Sequence, residues 1–213
     1  MNRRGYFVTV EGGEGAGKTS AIGEIVKTVT GMGAVALSTR EPGGIPIAEK
    51  IREVILDRSH TAMDGRTEAL LYAAARRQHL SERVVPALQA GQVVVCDRFI
   101  DSSLAYQGHA RGLGMEEVLS VNAFAVGDWM PDLTLYMDVS PEVGLMRIQA
   151  DTSRELNRLD LEKIEFHRKV REGYLLLLER YPERIVRIDA EAELSRVLGE
   201  IRRILNQRLA GRV

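Results

Sequence analysis

Short apolar runs alternating with longer helical patterns predict an α/β fold: a five-stranded parallel sheet with helices layered on both sides. Three observations carry this reading. Strand-like runs at 5–11, 34–39, 92–97, 132–138 and 184–189 include several that are almost continuously apolar, as strands covered on both faces must be. Helical patterns separate them at 18–31, 46–57, 67–90, 115–127, 141–150, 160–180 and 192–209. The first strand runs directly into a glycine-rich turn that opens the first helix.

That turn reads Gly12-Gly13-Glu14-Gly15-Ala16-Gly17-Lys18-Thr19 and follows the apolar run Tyr6–Val10. It is a complete G-x-x-x-x-G-K-[ST] string in the strand–turn–helix context that gives the pattern its meaning. Glycines let the backbone wrap an anion, and the helix beginning near Lys18 presents free N–H groups and its positive dipole end. Lys18 is placed to reach the β- and γ-phosphates of a nucleotide, and the Thr19 hydroxyl to ligand Mg²⁺.

The second strand leads into Thr39-Arg40-Glu41-Pro42-Gly43-Gly44. Pro42 biases Glu41 toward extended backbone, and the two glycines permit a tight approach. Arg52, on the helix that follows, points back at the same cleft. In the helix at 67–90, Tyr72 and Arg76 are four residues apart and share a face, a ring beside a guanidinium suited to a base and a phosphate or carbonyl. Arg77 and His79 read as facing water. Gly91 ends that helix.

The third strand, Val93–Cys96, delivers Asp97 and Arg98 to the carboxyl edge, where an open parallel sheet binds ligands. Asp97 is suited to orient Mg²⁺ through water or to fix its neighbour. Arg98 offers a forked, permanently charged donor. Asp101 or Ser102 is the expected N-cap of a short helix on which Ser103, Tyr106 and Gln107 share a face able to read a nucleobase edge. In the helix at 115–127, Val118, Leu119 and Phe124 suit either a core or a dimer surface. Residues 151–159 are polar and weakly periodic, and with Arg147, Arg154 and Arg158 nearby they read as a mobile lid over phosphates, spanning about 147–160.

Bulk properties narrow the class. With 29 Lys+Arg against 30 Asp+Glu in 213 residues, no net field favours nucleic acid or an anionic membrane. Cys96 is the only cysteine, which excludes an internal disulfide and fits a reducing cytoplasm. Within Val93–Cys96 it reads as a small buried hydrophobe. Met1–Arg4 leaves no room for a signal peptide before the first strand, and no apolar run approaches the ~20 residues of a membrane span. A soluble, single-domain protein is expected.

Arg40, Arg52, Arg76 and Arg98 gather opposite the glycine loop, and four cations facing a phosphate site imply a second anionic substrate. This favours phosphoryl transfer between two nucleotides over an ATPase or a nucleotide switch. A guanine-reading Asn-Lys-x-Asp string is absent from the sequence. Kinases of AMP, GMP or CMP are the nearest alternatives.

The stretches Gly12–Thr19, Thr39–Gly44, Leu71–Arg76, Cys96–Gly108 and Pro131–Val139 together resemble bacterial thymidylate kinases, over about residues 5–190. Asp97-Arg-Phe-Ile-Asp-Ser-Ser-Leu-Ala-Tyr-Gln-Gly108 is the most specific of them. The resemblance implies a P-loop nucleoside-monophosphate kinase fold with a short lid, a homodimer, and conversion of ATP and dTMP to ADP and dTDP with Mg²⁺, on the route to dTTP. By position, Gly12, Gly13, Glu14, Gly15, Ala16, Gly17, Lys18, Thr19 and Ser20 would hold ATP. Arg98, with Asp97 beside it, would bridge the dTMP phosphate and the transferring group. Glu14 would lie on the sugar side and Tyr72 would stack on thymine. Arg76 would address a thymine carbonyl, Ser103 and Gln107 the base edge. Tyr106 would crowd the sugar 2′ position, and Arg52 would contribute to the acceptor pocket. In this family a glycine loop without a basic residue goes with catalytic lid arginines, here Arg154 and Arg158. The chain departs from the family pattern at Phe99, where Tyr is usual, and at Ile45, where Thr is common.

Overall fold

The computed structural model describes residues 4–150 and 158–212. Its sheet holds β1 (Phe7–Glu11), β2 (Ala36–Arg40), β3 (Val93–Asp97), β4 (Leu133–Asp138) and β5 (Ile185–Asp189). They lie in the order β2-β3-β1-β4-β5, all parallel. Each lies within a residue or two of its expected span. Because every carboxyl end points the same way, the ends of β1 and β3 sit side by side, with Val10 opposite Asp97.

The period-two alternation of side chains gives the sheet two unlike faces. On one, Val8, Val10, Val93, Val95, Leu133, Leu135 and Met137 meet α1 (Lys18–Gly31) and α9 (Leu194–Leu209) in an aliphatic core. On the other, Phe7, Val94, Cys96 and Tyr136 alternate with the buried polar residues Thr9, Glu11, Thr134 and Asp138. Cys96 is fully buried, and burial pushes its thiol well above the usual range, as expected of a small core hydrophobe.

The remaining helices are α2 (Pro46–Leu56), α3 (Gly65–His79), α4 (Val85–Gln89), α5 (Ile100–Ser103), α6 (Met115–Val126), α7 (Pro141–Ala150) and α8 (Ile164–Arg180). The helix expected over 67–90 is interrupted: α3 passes through a π-helical turn at Leu80–Val84 into α4. Pro86 lacks the N–H that a regular ladder would use there, and a widened turn accommodates it. A second π-helical stretch, Leu104–Ala110, extends α5. Neither Asp101 nor Ser102 caps α5. Phe99 holds the cap position, while Asp101 is buried in an ion pair with Arg184 at 2.6 Å and Ser102 bonds Glu11. Among the described residues no helix is long and apolar enough to cross a membrane.

Candidate active site

Above the carboxyl ends of β1 and β3 opens a cavity of 430 Å³. The glycine loop forms one wall. Gly17, in left-handed backbone, precedes α1 without a side-chain cap, so the helix's first N–H groups remain available to an anion. Gly15 also has positive φ (67°), and a Cβ there would fall 2.1 Å from the Gly144 carbonyl of α7. Lys18 Nζ folds back onto the Gly12 and Gly13 carbonyls at 3.3 and 3.0 Å. Burial and the nearby Arg98 charge lower its pKa, the mark of a cation facing other cations. Residues 14–19 line the cavity, whereas Ser20 lines a smaller adjoining one with Arg147, which donates to the Ala190 carbonyl at 3.0 Å.

Arg98 joins the loop to the rest of the site. Its Nη1 donates to the Gly12 carbonyl at 2.9 Å and its Nη2 to Glu14 at 2.6 Å, with the guanidinium 5.1 Å from the Tyr106 ring centroid. Tyr106 in turn donates to Glu14 at 3.2 Å. Arg98 has φ +67°, a left-handed conformation that costs a non-glycine residue about 1–2 kcal/mol. Beside it, Asp97 Oδ1 is buried with no hydrogen-bond partner among the described residues. An orphaned carboxylate oxygen lining the same cavity as the Thr19 hydroxyl makes an oxygen donor set that suits Mg²⁺.

The opposite wall is a network of side chains from distant elements. Arg76 is fully buried, donating from Nε to Glu41 (2.8 Å), from Nη1 to Ser103 (3.0 Å) and Asn122, and from Nη2 to the Phe99 carbonyl (3.0 Å). Among the described residues, these bonds use all but one of its five N–H donors. His79, expected to face water, is instead buried between Glu41 (2.9 Å) and Thr39 (2.7 Å). The cause is the tight Gly43–Gly44 turn: a Cβ on Gly44, at φ +82°, would lie 2.7 Å from the Thr39 hydroxyl and 3.1 Å from the imidazole. Gln107 donates to Glu68 at 2.8 Å, which orients its amide. Tyr72 lines this wall with its phenol pKa raised, first by burial and then by Glu68.

Of the four expected cations, Arg40 is held by both oxygens of Glu49, Arg76 by Glu41 and Arg98 by Glu14. Arg52 donates to the Pro42 carbonyl at 3.0 Å, and among the described residues no carboxylate pairs with it. Burial and the neighbouring Arg40 charge lower its pKa.

Arg154 lies outside the described residues. Arg158 is not on the cavity wall: it donates to the Ile55 carbonyl at 2.9 Å and pairs with Glu68. The two departures have local explanations. Phe99 is fully buried, edge-on to Phe7 at 5.0 Å and under the Arg76 guanidinium at 5.2 Å, where apolar surroundings suit a ring without a hydroxyl. Ile45 is buried at the start of α2, and the Gly44 N–H is taken instead by Glu49 at 2.7 Å.

Four residues of the site were missed in the sequence. Glu68 had a signal, since 68, 72 and 76 form one helical stripe. Glu11 had one too, a carboxylate closing an apolar strand. Glu41 and Tyr174 had none, because their partners are 35 to 163 residues away in the chain. The fold also gathers Glu41, His79 and Cys96, whose ligand atoms lie within 4.8 Å of one another, although the sequence offered no such cluster. Arg76, Thr39 and the Arg98 carbonyl already engage those groups.

A phosphate-binding loop after the first strand of a parallel sheet, facing a cavity with its own cations and an aromatic floor, defines a P-loop nucleoside-monophosphate kinase fold. The family model described as thymidylate kinase matches residues 10–201. A thymidylate kinase of Halalkalibacterium halodurans is 60% identical, the match covering 97% of this chain and 99% of that protein. Thymidylate kinases of Clostridium novyi and Bacillus velezensis are each 58% identical over 96% of this chain, and over 100% and 97% of their own lengths. The chain belongs to the thymidylate kinase family.

Proposed function

We infer that this chain transfers the γ-phosphoryl group of ATP to the phosphate of dTMP, giving ADP and dTDP. The observation that carries the reading is a single cavity with a phosphate loop on one wall, Tyr72, Arg76 and Gln107 on the other, and Arg98 between them. The loop amides, α1 and Lys18 hold the donor phosphates, and the adjoining cavity at Ser20 and Arg147 takes the donor base. An acceptor phosphate oxygen attacks the γ-phosphorus while the bond to the β-bridging oxygen breaks and ADP leaves. No side-chain nucleophile is needed: positioning and positive charge carry the rate. Arg98 bridges the two phosphates, Arg52 and Arg40 attract the acceptor, and Tyr72 stacks on the base. Arg76 and Gln107 read its edge, with Ser103 fixing Arg76, and Tyr106 with Glu14 lies at the sugar.

Mg²⁺ would be held by the Thr19 hydroxyl and Asp97, and when bound supplies charge neutralisation between donor phosphates. Residues 147–160 serve as the lid of a single kinase domain, and Arg154 and Arg158 reach the phosphates when it closes, Arg158 leaving Glu68 to do so. The chain acts in the cytoplasm as a homodimer: Phe124 on α6 and Leu70 on α3, neighbouring helices, are 92% and 57% exposed.

The test is ADP release measured with each nucleoside monophosphate in turn. dTMP should be fastest, and dUMP slower by about tenfold or more for one lost methyl. dCMP, with donor and acceptor exchanged on the read edge, should be rejected more strongly. Turnover of dCMP or AMP equal to that of dTMP would overturn the base assignment.

A further inference from the structure

We propose that Glu11, the last residue of β1, is a positioning residue for Arg98, holding both its backbone and its guanidinium in the geometry the transfer needs. The proposal rests on the reading of Arg98 as the bridge between the two phosphates.

Glu11 is fully buried. Its Oε1 accepts the Phe99 N–H at 2.7 Å, the peptide group immediately after Arg98. Its Oε2 accepts the hydroxyls of Ser102 at 2.5 Å and Tyr174 at 2.9 Å. Those two hydroxyl oxygens accept in turn from Arg98 Nη1, at 3.3 and 3.4 Å. One carboxylate therefore reaches Arg98 from two directions. The Arg98 N–H itself goes to the Val10 carbonyl at 3.0 Å, so the left-handed residue is bonded on both sides to the end of β1. A strained backbone persists only where its surroundings over-determine it, and here Glu11 supplies that constraint. A buried carboxylate kept for stability alone is a poor device, because its desolvation offsets most of what its bonds contribute.

The brace needs acceptors. The groups that face the carboxylate are Asp101 on α5, Cys96 and Arg98 at the end of β3, Tyr174 on α8, Lys18 at the start of α1, and Arg184 just before β5. Burial and then Asp101 push Glu11 up to about 7, against the bonds from Ser102 and Tyr174 and the charge of Arg98. Protonation removes an acceptor, so the brace is complete above neutrality and loosens below it.

The experiment is a double-mutant cycle on the full chain, with kcat and the KM for ATP and dTMP measured from pH 6 to 9 for wild type, Glu11→Gln, Arg98→Ala and the double variant. Glu11→Gln should lower kcat at pH 8 by at least tenfold, leave the KM for ATP within about twofold, and abolish the acid limb near pH 7. In the R98A background the same change should have no further effect on kcat, since residues acting through one another are non-additive. Normal kcat in Arg98→Ala would sink the reading of Arg98. A low kcat in Arg98→Ala with normal kcat and an intact acid limb in Glu11→Gln would sink the positioning role alone. Equal losses from Glu11→Gln in both backgrounds would also sink it. Should Glu11→Gln not fold, Tyr174→Phe and Ser102→Ala decide: each removes one brace, and neither lowering kcat would overturn the proposal.

Discussion

The two faces of the sheet are built from the same five strands and do different work. The face under α1 and α9 is largely aliphatic, with Val8, Val95 and Leu135 meeting Ile25, Ile201 and Leu205. The other buries Glu11, Thr134 and Asp138 in the strands, and Glu41, Arg76 and His79 in the elements above them. Hydrophobic burial needs no direction, so the first face stabilises the fold through area alone. Hydrogen-bonded charges need direction, so the second holds side chains in set orientations at a cost in desolvation. The difference teaches that the polar residues in an otherwise buried strand mark the side on which the chemistry lies.

That division can be broken by substitution. The largest effect is expected from Glu41→Ala, which leaves Arg76 buried without its counter-charge: about 3–5 kcal/mol of stability by urea unfolding, with dTMP turnover lost alongside. Arg98→Ala should lower kcat by about 10²-fold or more, since removing a donor to developing charge costs about 3–4 kcal/mol. Leu205→Ala, on the aliphatic face, should cost about 2–5 kcal/mol of stability while kcat of the folded enzyme stays near wild type. A tenfold fall in kcat there would end the division of labour between the faces.

Acidification discriminates more finely. Burial alone would raise Glu68, but hydrogen bonds from Arg158 and Gln107 and the charge of Arg111 hold it below the usual carboxylate range. Its contribution is therefore present above the unfolded pKa of about 4.3 and lost as pH falls through the lower folded value. Glu68→Gln should show a shallower loss of Tm on acidification than wild type. Smallest in stability is Phe124→Ser, expected within about 0.5 kcal/mol for a surface change. Light scattering should nevertheless show it shifting the chain toward monomer; an unchanged mass would remove α6 from the dimer surface.

Much of the molecule was legible in the sequence, and the legible parts share a property: they are local. The five strands and the helix α1 follow from periodicity, and the glycine loop from eight consecutive residues. Tyr72 and Arg76 share a face because four residues make about one helical turn. Where reading failed, a local rule met a distant partner. Asp101 has the chemistry of a cap, yet Arg184 claims it across 83 residues. His79 has the position of a solvated residue, yet Glu41 and Thr39 bury it.

Taken by itself, the amino-acid order determined where the elements lie, which way their apolar sides turn, and that a glycine-rich turn joins β1 to α1, because each depends on residues within a turn or two of one another. Tertiary structure alone decided which charges meet. Arg76 with Glu41, Glu11 with Tyr174 and Arg98 with Glu14 are pairs whose energy depends on separation and burial, and none exists until the chain has folded.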